Sequence, residues 1–297
     1  MSFCTGLDNQ SIPCLRKYSN VVRYMKMTKL LIYLLLFLLS TTKSIGQRLS
    51  KENFIEIEPP SPGTPEWFKL NNNSEKPVKV FIDSGILKIE MTKEIYVDTK
   101  YQLPDGLLLS KNGGEFGGGL FYKPFDKKIK RIFVNGEINS ERFKPSNIDL
   151  FSSPIKDKKN EFGYFRLPGG NINSFFEFKD TLFFTNGLAH MGTNVGALTK
   201  VAISGKDKFI FIRALDLEGA PMTETIINDT LLFITFDGLL LVKDFSKVIN
   251  LKKQFWASLY PNSVAYLDER NVFIGMRGCY AQIDLTNNSI KCFKLKD

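Results

Sequence analysis

The chain has 297 residues, of which 43% are hydrophobic and 24% charged, an ordinary globular composition that excludes a largely disordered protein. Its formal net charge is +9, but residues 1–46 carry six basic and one acidic side chain, so 34 basic and 30 acidic side chains remain after them. A surplus of that size is no argument for nucleic-acid binding.

The N-terminal segment has the three parts of a secretory signal peptide. Residues 26–29 form a short positive region, residues 30–40 form an apolar run, and residues 44–46 are a small-x-small cleavage site. The run is shorter than the about 20 apolar residues of a membrane-spanning helix. We expect a true start at Met25 or Met27, cleavage after the small-x-small site, and a secreted or periplasmic protein without a transmembrane anchor. Retention of the run as an uncleaved anchor is the alternative.

Beyond residue 50, short apolar runs rich in Phe, Ile, Val and Tyr alternate with Gly, Asn, Asp and Pro, which predicts an all-β chain without helices. Three segments, which begin at Ile172, Thr223 and Asn262, align with one another, and a fourth copy begins at Leu103. Each has a short strand, a tight turn, a second strand that ends in glycine, and a third strand. The turns of the three aligned segments follow one another after 49 and 40 residues, and the turn of the fourth copy lies 75 residues before the first of them, which leaves room for one worn copy. A period of about 40 to 50 residues is typical of a β-propeller.

The repeat predicts one β-propeller-like domain over residues 47–297, with five or six four-stranded blades. Strands near residues 54–57 or 67–70 are expected to complete the last blade and close the ring. A β-sandwich or an irregular meander is the alternative, since the spacing alone does not distinguish these architectures.

In an antiparallel blade, the loop between the second and third strands and the segment that leads into the first strand lie at the same end. We therefore expect seven segments to share one face, at the mouth of the central channel. The loops are residues 112–119, 186–197, 236–238 and 276–278, and the leading segments are residues 168–174, 219–224 and 260–263.

The candidate binding residues on this face are Glu115, His190, Asp237, Asn262 and Arg277, which come from different repeats. Each also has a structural explanation: the histidine bonds a nearby carbonyl, the first acid caps loop amides, Asp237 and Asn262 form turns, and the arginine pairs with one of the two acids. The glycines around them suit backbone turns or close approach.

The functional alternatives for these residues are a metal site or an acid–base site. Glu115, His190, Asp237 and Asn262 could hold one divalent cation through oxygen and nitrogen ligands. Alternatively, His190 acts as a general base, with Glu115 and Arg277 as further catalytic candidates and the arginine balancing an anionic substrate. The sequence has no HExxH, GxxxxGK[ST] or GxSxG signature.

The motifs NGGEFGG, GLAHMG, YPNS and GMRG, which fall within residues 103–280, resemble those of an uncharacterised group of secreted bacterial proteins with propeller-like repeats. This resemblance implies the fold and export, and it implies no activity. Three functions therefore stay open. The first is an exported protein that binds a small molecule, a glycan or a protein; the second is a metal-assisted hydrolase or lyase acting on a sugar-derived or lactone-like substrate; the third is a structural or interaction protein of the envelope.

Two cysteines, Cys279 and Cys292, remain after the expected cleavage. If residues 287–288 form a two-residue hairpin turn, Ile283 faces Cys292, and Cys279 lies about 13 Å away at ~3.3 Å per residue. A disulfide needs Cα atoms within about 7 Å of each other. The sequence thus predicts two free, buried thiols.

Overall fold

The computed structural model describes residues 48–72, 77–92, 99–114, 118–126, 128, 132–135, 164–165, 171–205 and 208–296. The contacts of the chain separate Gln47–Asp297 from Met1–Gly46, and everything described here belongs to the first of these units. The predicted signal peptide lies outside the described residues.

The described residues are mainly β-strand, which confirms the all-β prediction. They form five small sheets, none of which closes on itself within the described ranges. Sheet I has the strand order β1-β4-β3, and sheet II has the order β5-β6-β7-β9. The bounds in these two sheets are β1 (Arg48–Leu49), β3 (Val78–Asp83), β4 (Ile86–Met91), β5 (Lys100–Leu103), β6 (Gly106–Asn112), β7 (Gly118–Pro124) and β9 (Tyr164–Phe165).

The other three sheets follow the three aligned repeats. Sheet III contains β10 (Asn171–Phe178), β11 (Thr181–His190), β12 (Thr193–Ser204), β13 (Lys208–Asp216) and β8 (Ile132–Asn135), in that order. Sheet IV contains β14 (Pro221–Ile227), β15 (Thr230–Thr235), β16 (Gly238–Lys243) and β17 (Ser246–Leu251). Sheet V contains β18 (Ser263–Asp268), β19 (Asn271–Met276), β20 (Cys279–Asp284), β21 (Ser289–Leu295) and β2 (Phe54–Ile57). Pairing is antiparallel apart from β8, which runs parallel to β13.

The middle strands of sheets III, IV and V are buried on both faces, because each of these sheets packs between two others. In β15, Leu231 and Phe233 face the cluster shared with sheet III, whereas Leu232 and Ile234 face the cluster shared with sheet V. This double burial explains why the strand is a continuous apolar run rather than an alternating pattern. Burial of each such side chain contributes about 1.5–3 kcal/mol to the stability of the fold. The hydrophobic core therefore consists of the clusters between neighbouring sheets.

Neighbouring sheets contact each other in the order II, III, IV, V, I. The first strands of sheets III, IV and V touch in sequence, since β10 contacts β14 and β14 contacts β18. At the two ends of this series, β10 contacts β6 and β18 contacts β3. The first strands of sheets III, IV and V therefore lie next to one another, and the segments that precede them lie close together.

One of the two N-terminal strands expected to join the last repeat is present. Strand β2 pairs antiparallel with β21, so that Phe54 lies opposite Leu295 and becomes part of sheet V. Phe54 is buried, and its ring contacts that of Tyr280 edge to face, with 4.9 Å between the centroids. A strand from the N-terminal part of the described chain thereby joins the sheet of its C-terminal strands.

The prediction of a strand at residues 67–70 is wrong, because these residues belong to a helix, α1 (Pro65–Asn72). Thr64 precedes it and its Oγ1 accepts the Trp67 N–H at 3.3 Å, while proline suits the first helical position. Trp67 and Leu70, three residues apart, are buried on one face. In the described part of the chain, no helix has the length and apolar character needed to cross a membrane.

The two cysteines are free and buried, as predicted, but the predicted register of the hairpin that carries them is wrong by two residues. Ala281, and not Ile283, lies opposite Cys292, because the turn begins directly after Asp284, whose side chain accepts the N–H two residues later at 2.9 Å. Cys279 is therefore a diagonal neighbour of Cys292. A hydrogen bond with Cys292, together with burial, raises the pKa of the Cys279 thiol.

Candidate functional site

A cleft of about 240 Å³ lies where the loops of four sheets meet. The loop after β6 contributes Gly114, and the β11–β12 hairpin contributes Leu188 and Ala189. The β15–β16 turn contributes Phe236, and the β19–β20 turn contributes Arg277. Each of the four loops predicted to share an edge thus supplies part of the wall.

The segments that lead into the first strands supply the rest of the lining. Asn171 and Asn173 belong to β10, Pro221 and Met222 belong to β14, and Tyr260 precedes β18. All three leading segments predicted for this edge are represented. The cleft is consequently formed by residues that are distant in sequence, and its shape depends on how the sheets pack.

The β11–β12 hairpin forms one wall because two glycines let it approach sheet IV closely. A Cβ on Gly196 would lie 2.2 Å from the carbonyl oxygen of Gly219, and one on Gly187 would lie 2.5 Å from Cδ of Pro221. Any side chain at these positions would push the hairpin away. The glycines of the NGLAHMGTNVGA loop therefore serve close backbone approach.

Asparagine side chains join the loops of neighbouring sheets. Asn194, on the hairpin, donates to Oδ1 of Asp237 at 2.7 Å and accepts the N–H of Ala220 at 2.8 Å. Asn171 accepts the N–H of Gly113 at 2.9 Å and donates to the carbonyl of Gly114 at 2.7 Å. These amides satisfy loop backbone groups, so they fix the walls of the cleft.

Arg277 brings the one formal positive charge found among the described lining residues. Its guanidinium lies over the Tyr260 ring, 4.0 Å from the centroid. Nη1 donates to Oδ1 of Asn71 at 3.1 Å, which links the group to helix α1. Nε is buried and has no hydrogen-bond partner among the described residues. Stacking and one hydrogen bond therefore orient a guanidinium that keeps an unused donor.

The remaining candidates are placed differently. Asp237 accepts from Asn194 and does not pair with Arg277, and Asn262 accepts from Ser263 Oγ at 2.9 Å. His190 is half-buried at the end of β11, next to the lining residue Ala189 but outside the lining itself. The structure thus brings one of the described candidates into the cleft wall and leaves the others around it.

The predicted metal site stays a prediction. Within the ranges that the structure describes, no group of three or more His, Cys, Asp or Glu side chains could hold a metal ion. Glu115, the fourth predicted ligand, lies outside the described residues. The asparagine contacts found at the same loops are structural.

A carboxyl group that sequence reasoning missed lies close behind the cleft. Glu224 is on β14, two residues beyond the lining residue Met222, and burial raises its pKa to about 7, although a hydrogen bond from Ser174 of β10 opposes the shift. Its Oε2 is enclosed without a partner among the described residues. The signal is a lone acid in the first strand of sheet IV, which contacts the first strands of sheets III and V.

Comparisons with known proteins do not identify the chain: no protein-family model matches the sequence, and no curated protein matches it either. The resemblance carried by the four short motifs stays a prediction. A functional inference must therefore come from the geometry of the cleft.

Proposed function

We propose that the chain is an exported binding protein with a β-propeller-like arrangement of sheets, and that the loop-end cleft holds a small molecule. Four loops and three leading segments from four sheets converge on one cleft, which contains an arginine oriented by stacking. This convergence carries the proposal. Ligand sites are typically concave, mostly apolar, and equipped with a few oriented polar groups.

The packing of the sheets supports a propeller-like arrangement. Successive sheets share a hydrophobic cluster at each interface, and their first strands contact one another on the inside. The pairing of β2 with β21 adds a strand from the N-terminal part of the described chain to the sheet formed by its C-terminal strands.

Export is proposed from the N-terminal sequence, in which a short positive region, an apolar run and a small-x-small site follow one another before Gln47. Expression in a bacterium with the full chain, followed by N-terminal sequencing of the extracytoplasmic fraction, tests it. A mature protein that begins at Gln47 is expected. Retention of residues 30–40 in a membrane fraction would show that the run is an anchor.

The size of the cleft favours a small molecule over a protein. Its volume of about 240 Å³ is below the about 300–1,000 Å³ of pockets that hold drug-sized ligands. A stable protein interface, in contrast, needs about 800 Å² on each partner. The occupant that fits is a molecule of about monosaccharide size or smaller.

A thermal-shift and NMR titration series tests the cleft. The probes are neutral monosaccharides, amino acids and small organic acids at millimolar concentration, and the variant Ala189→Trp fills the cleft. Thr193→Trp, on the exposed tip of the same hairpin, is the matched control. We expect binding to the mature protein and the control, and its loss in Ala189→Trp. Binding that survives in Ala189→Trp, or stabilisation by no probe class, contradicts the proposal.

The metal-assisted alternative has its own test. Elemental analysis of the purified mature protein and of His190→Ala measures bound metal directly. Stoichiometric metal that is lost in the variant would favour the hydrolase or lyase hypothesis over the binding function.

A further inference from the structure

The chemistry of the cleft narrows the class of ligand, and this step rests on the proposed function. We infer that the ligand is a small organic carboxylate with an apolar body. Its carboxylate pairs with the guanidinium of Arg277, and its body lies against the apolar walls formed by Leu188, Met222 and Phe236.

Two contacts hold the guanidinium and leave one terminal nitrogen for a ligand. Nη1 donates to Asn71, and the flat face of the group lies over the ring of Tyr260. Nε is enclosed without a hydrogen-bond partner among the described residues, and Nη2 takes part in no hydrogen bond with them. Nη2 is therefore the donor that a carboxylate oxygen can reach, and the charges of the two groups strengthen that hydrogen bond.

Charge favours an anion over a neutral ligand. None of the described lining residues is acidic, and the nearest described candidate, Asp237, accepts a hydrogen bond from Asn194. A guanidinium half removed from water without a counter-charge is unfavourable, so an anionic ligand stabilises the site. Glu115 is one residue from Gly114, which lines the cleft, so the experiment includes this acid.

The polar lining favours a carboxylate with an apolar body over a neutral sugar. The side-chain oxygen of Asn171 accepts from the neighbouring loop and its NH₂ group donates to that loop. Asn173 donates to the Pro221 carbonyl and accepts from Asn112. These amides are used within the protein. A sugar needs several unused donors and acceptors around its hydroxyls, and a buried hydroxyl without a partner reduces affinity.

The probe pair is benzoate and benzamide, which share shape and size but differ in charge. Isothermal titration and chemical-shift mapping with the mature wild-type protein are expected to show millimolar or tighter binding of benzoate at the cleft. Benzamide should bind about tenfold more weakly or not at all, since it carries no charge and cannot form a charge-assisted hydrogen bond with the guanidinium. Glucose provides the neutral, hydroxyl-rich comparison.

Arg277→Gln is expected to lower benzoate affinity by about tenfold or more, whereas Arg270→Gln, at an exposed turn, leaves it unchanged. Arg277→Lys keeps the positive charge but lacks the planar guanidinium that lies over the Tyr260 ring, so it should lose part of the affinity. Circular dichroism confirms that each variant folds, and wild-type shift mapping decides the matter if Arg277→Gln does not fold. Glu115→Gln should leave affinity within about twofold, because the carboxylate of the ligand is assigned to Arg277.

The outcomes separate the two proposals. If glucose or benzamide binds in a manner lost in Ala189→Trp while benzoate does not bind, the cleft is a binding site and the carboxylate inference is overturned. If benzoate binds Glu115→Gln but not the wild type, Arg277 is an internal partner of Glu115, which also overturns the inference. If no probe binds any form, the proposed function itself falls.

Discussion

The two ends of the sheets are held together by different kinds of polar contact. At the loop end, hydrogen bonds join residues that are far apart in sequence, such as Asn194 with Asp237, 43 positions on, or Arg277 with Asn71, 206 positions away. At the turn end, the bonds are exposed, whether they are local, as between Asp284 and Thr286, two positions apart, or join two sheets, as between Lys179 and Asp244. Local bonds can be lost one at a time, whereas the loop-end bonds are coupled through sheet packing and determine the shape of the cleft.

The largest expected effect lies just behind the loop end, at Glu224. Its pKa of about 7 exceeds the usual 4.5, so the folded state favours the protonated carboxyl. The part of the unfolding free energy that depends on this carboxyl is therefore greatest at low pH. It falls as the pH rises from about 4.5 through 7, by about 3 kcal/mol in total. Urea unfolding of the mature protein between pH 4 and pH 9 measures this loss.

Glu224→Gln removes the titrating group and should flatten the profile, while Glu52→Gln, which changes an exposed acid, should retain it. A glutamine variant with the same pH profile as the wild type would mean that another group produces the dependence.

The next effect in size is that of Gly196→Ala. The new Cβ would lie 2.2 Å from the carbonyl oxygen of Gly219, so the hairpin must move away from sheet IV. We expect a loss of about 2 kcal/mol in the free energy of unfolding and loss of probe binding, since the hairpin forms a wall of the cleft. Thr193→Ala on the same hairpin should change stability by no more than about 0.5 kcal/mol. Equal behaviour of the two variants would show that the close approach is unimportant.

The stability losses of Asn194→Ala at the loop end and Thr286→Ala at the turn end compare the two ends directly. Asn194→Ala removes the partner of Asp237 and leaves the Ala220 N–H without an acceptor, which costs about 1–2 kcal/mol. Thr286→Ala removes a local, exposed bond at the turn end and should cost less than about 0.5 kcal/mol. Denaturant midpoints of the two variants decide the comparison, and a turn-end loss as large as the loop-end loss would refute it.

The smallest effect is expected at the turn-end ion pair between Lys179 and Asp244, whose charged atoms lie 2.8 Å apart. Both side chains are exposed, so water and salt screen the attraction. Lys179→Ala should leave the unfolding midpoint unchanged at both low and high salt. A midpoint that shifts at low salt and not at high salt would show that this pair stabilises the fold.

Local chemistry was enough to predict most strands, because a strand and its turn are specified by neighbouring residues. The turns at residues 179–180 and 228–229, for example, join consecutive strands as the aligned repeats indicate. The helix at Pro65–Asn72 was missed although Thr64 and Pro65 are a helix-start signal. The register of the last hairpin was missed because the Asp284 side chain starts the turn early.

The sequence by itself determined the all-β class and which four loops and three leading segments line one cleft, since both follow from short-range periodicity and turn chemistry. The two cysteines are free, but the separation of about 13 Å from which this was predicted is wrong, because Cys279 and Cys292 are in hydrogen-bond contact. Tertiary structure alone decided that Asn71 orients Arg277, that Asn194 engages Asp237, and that Glu224 is enclosed. These features arise from contacts between sheets. No local pattern encodes them, because partners separated by tens to hundreds of residues meet only when the core between the sheets has formed.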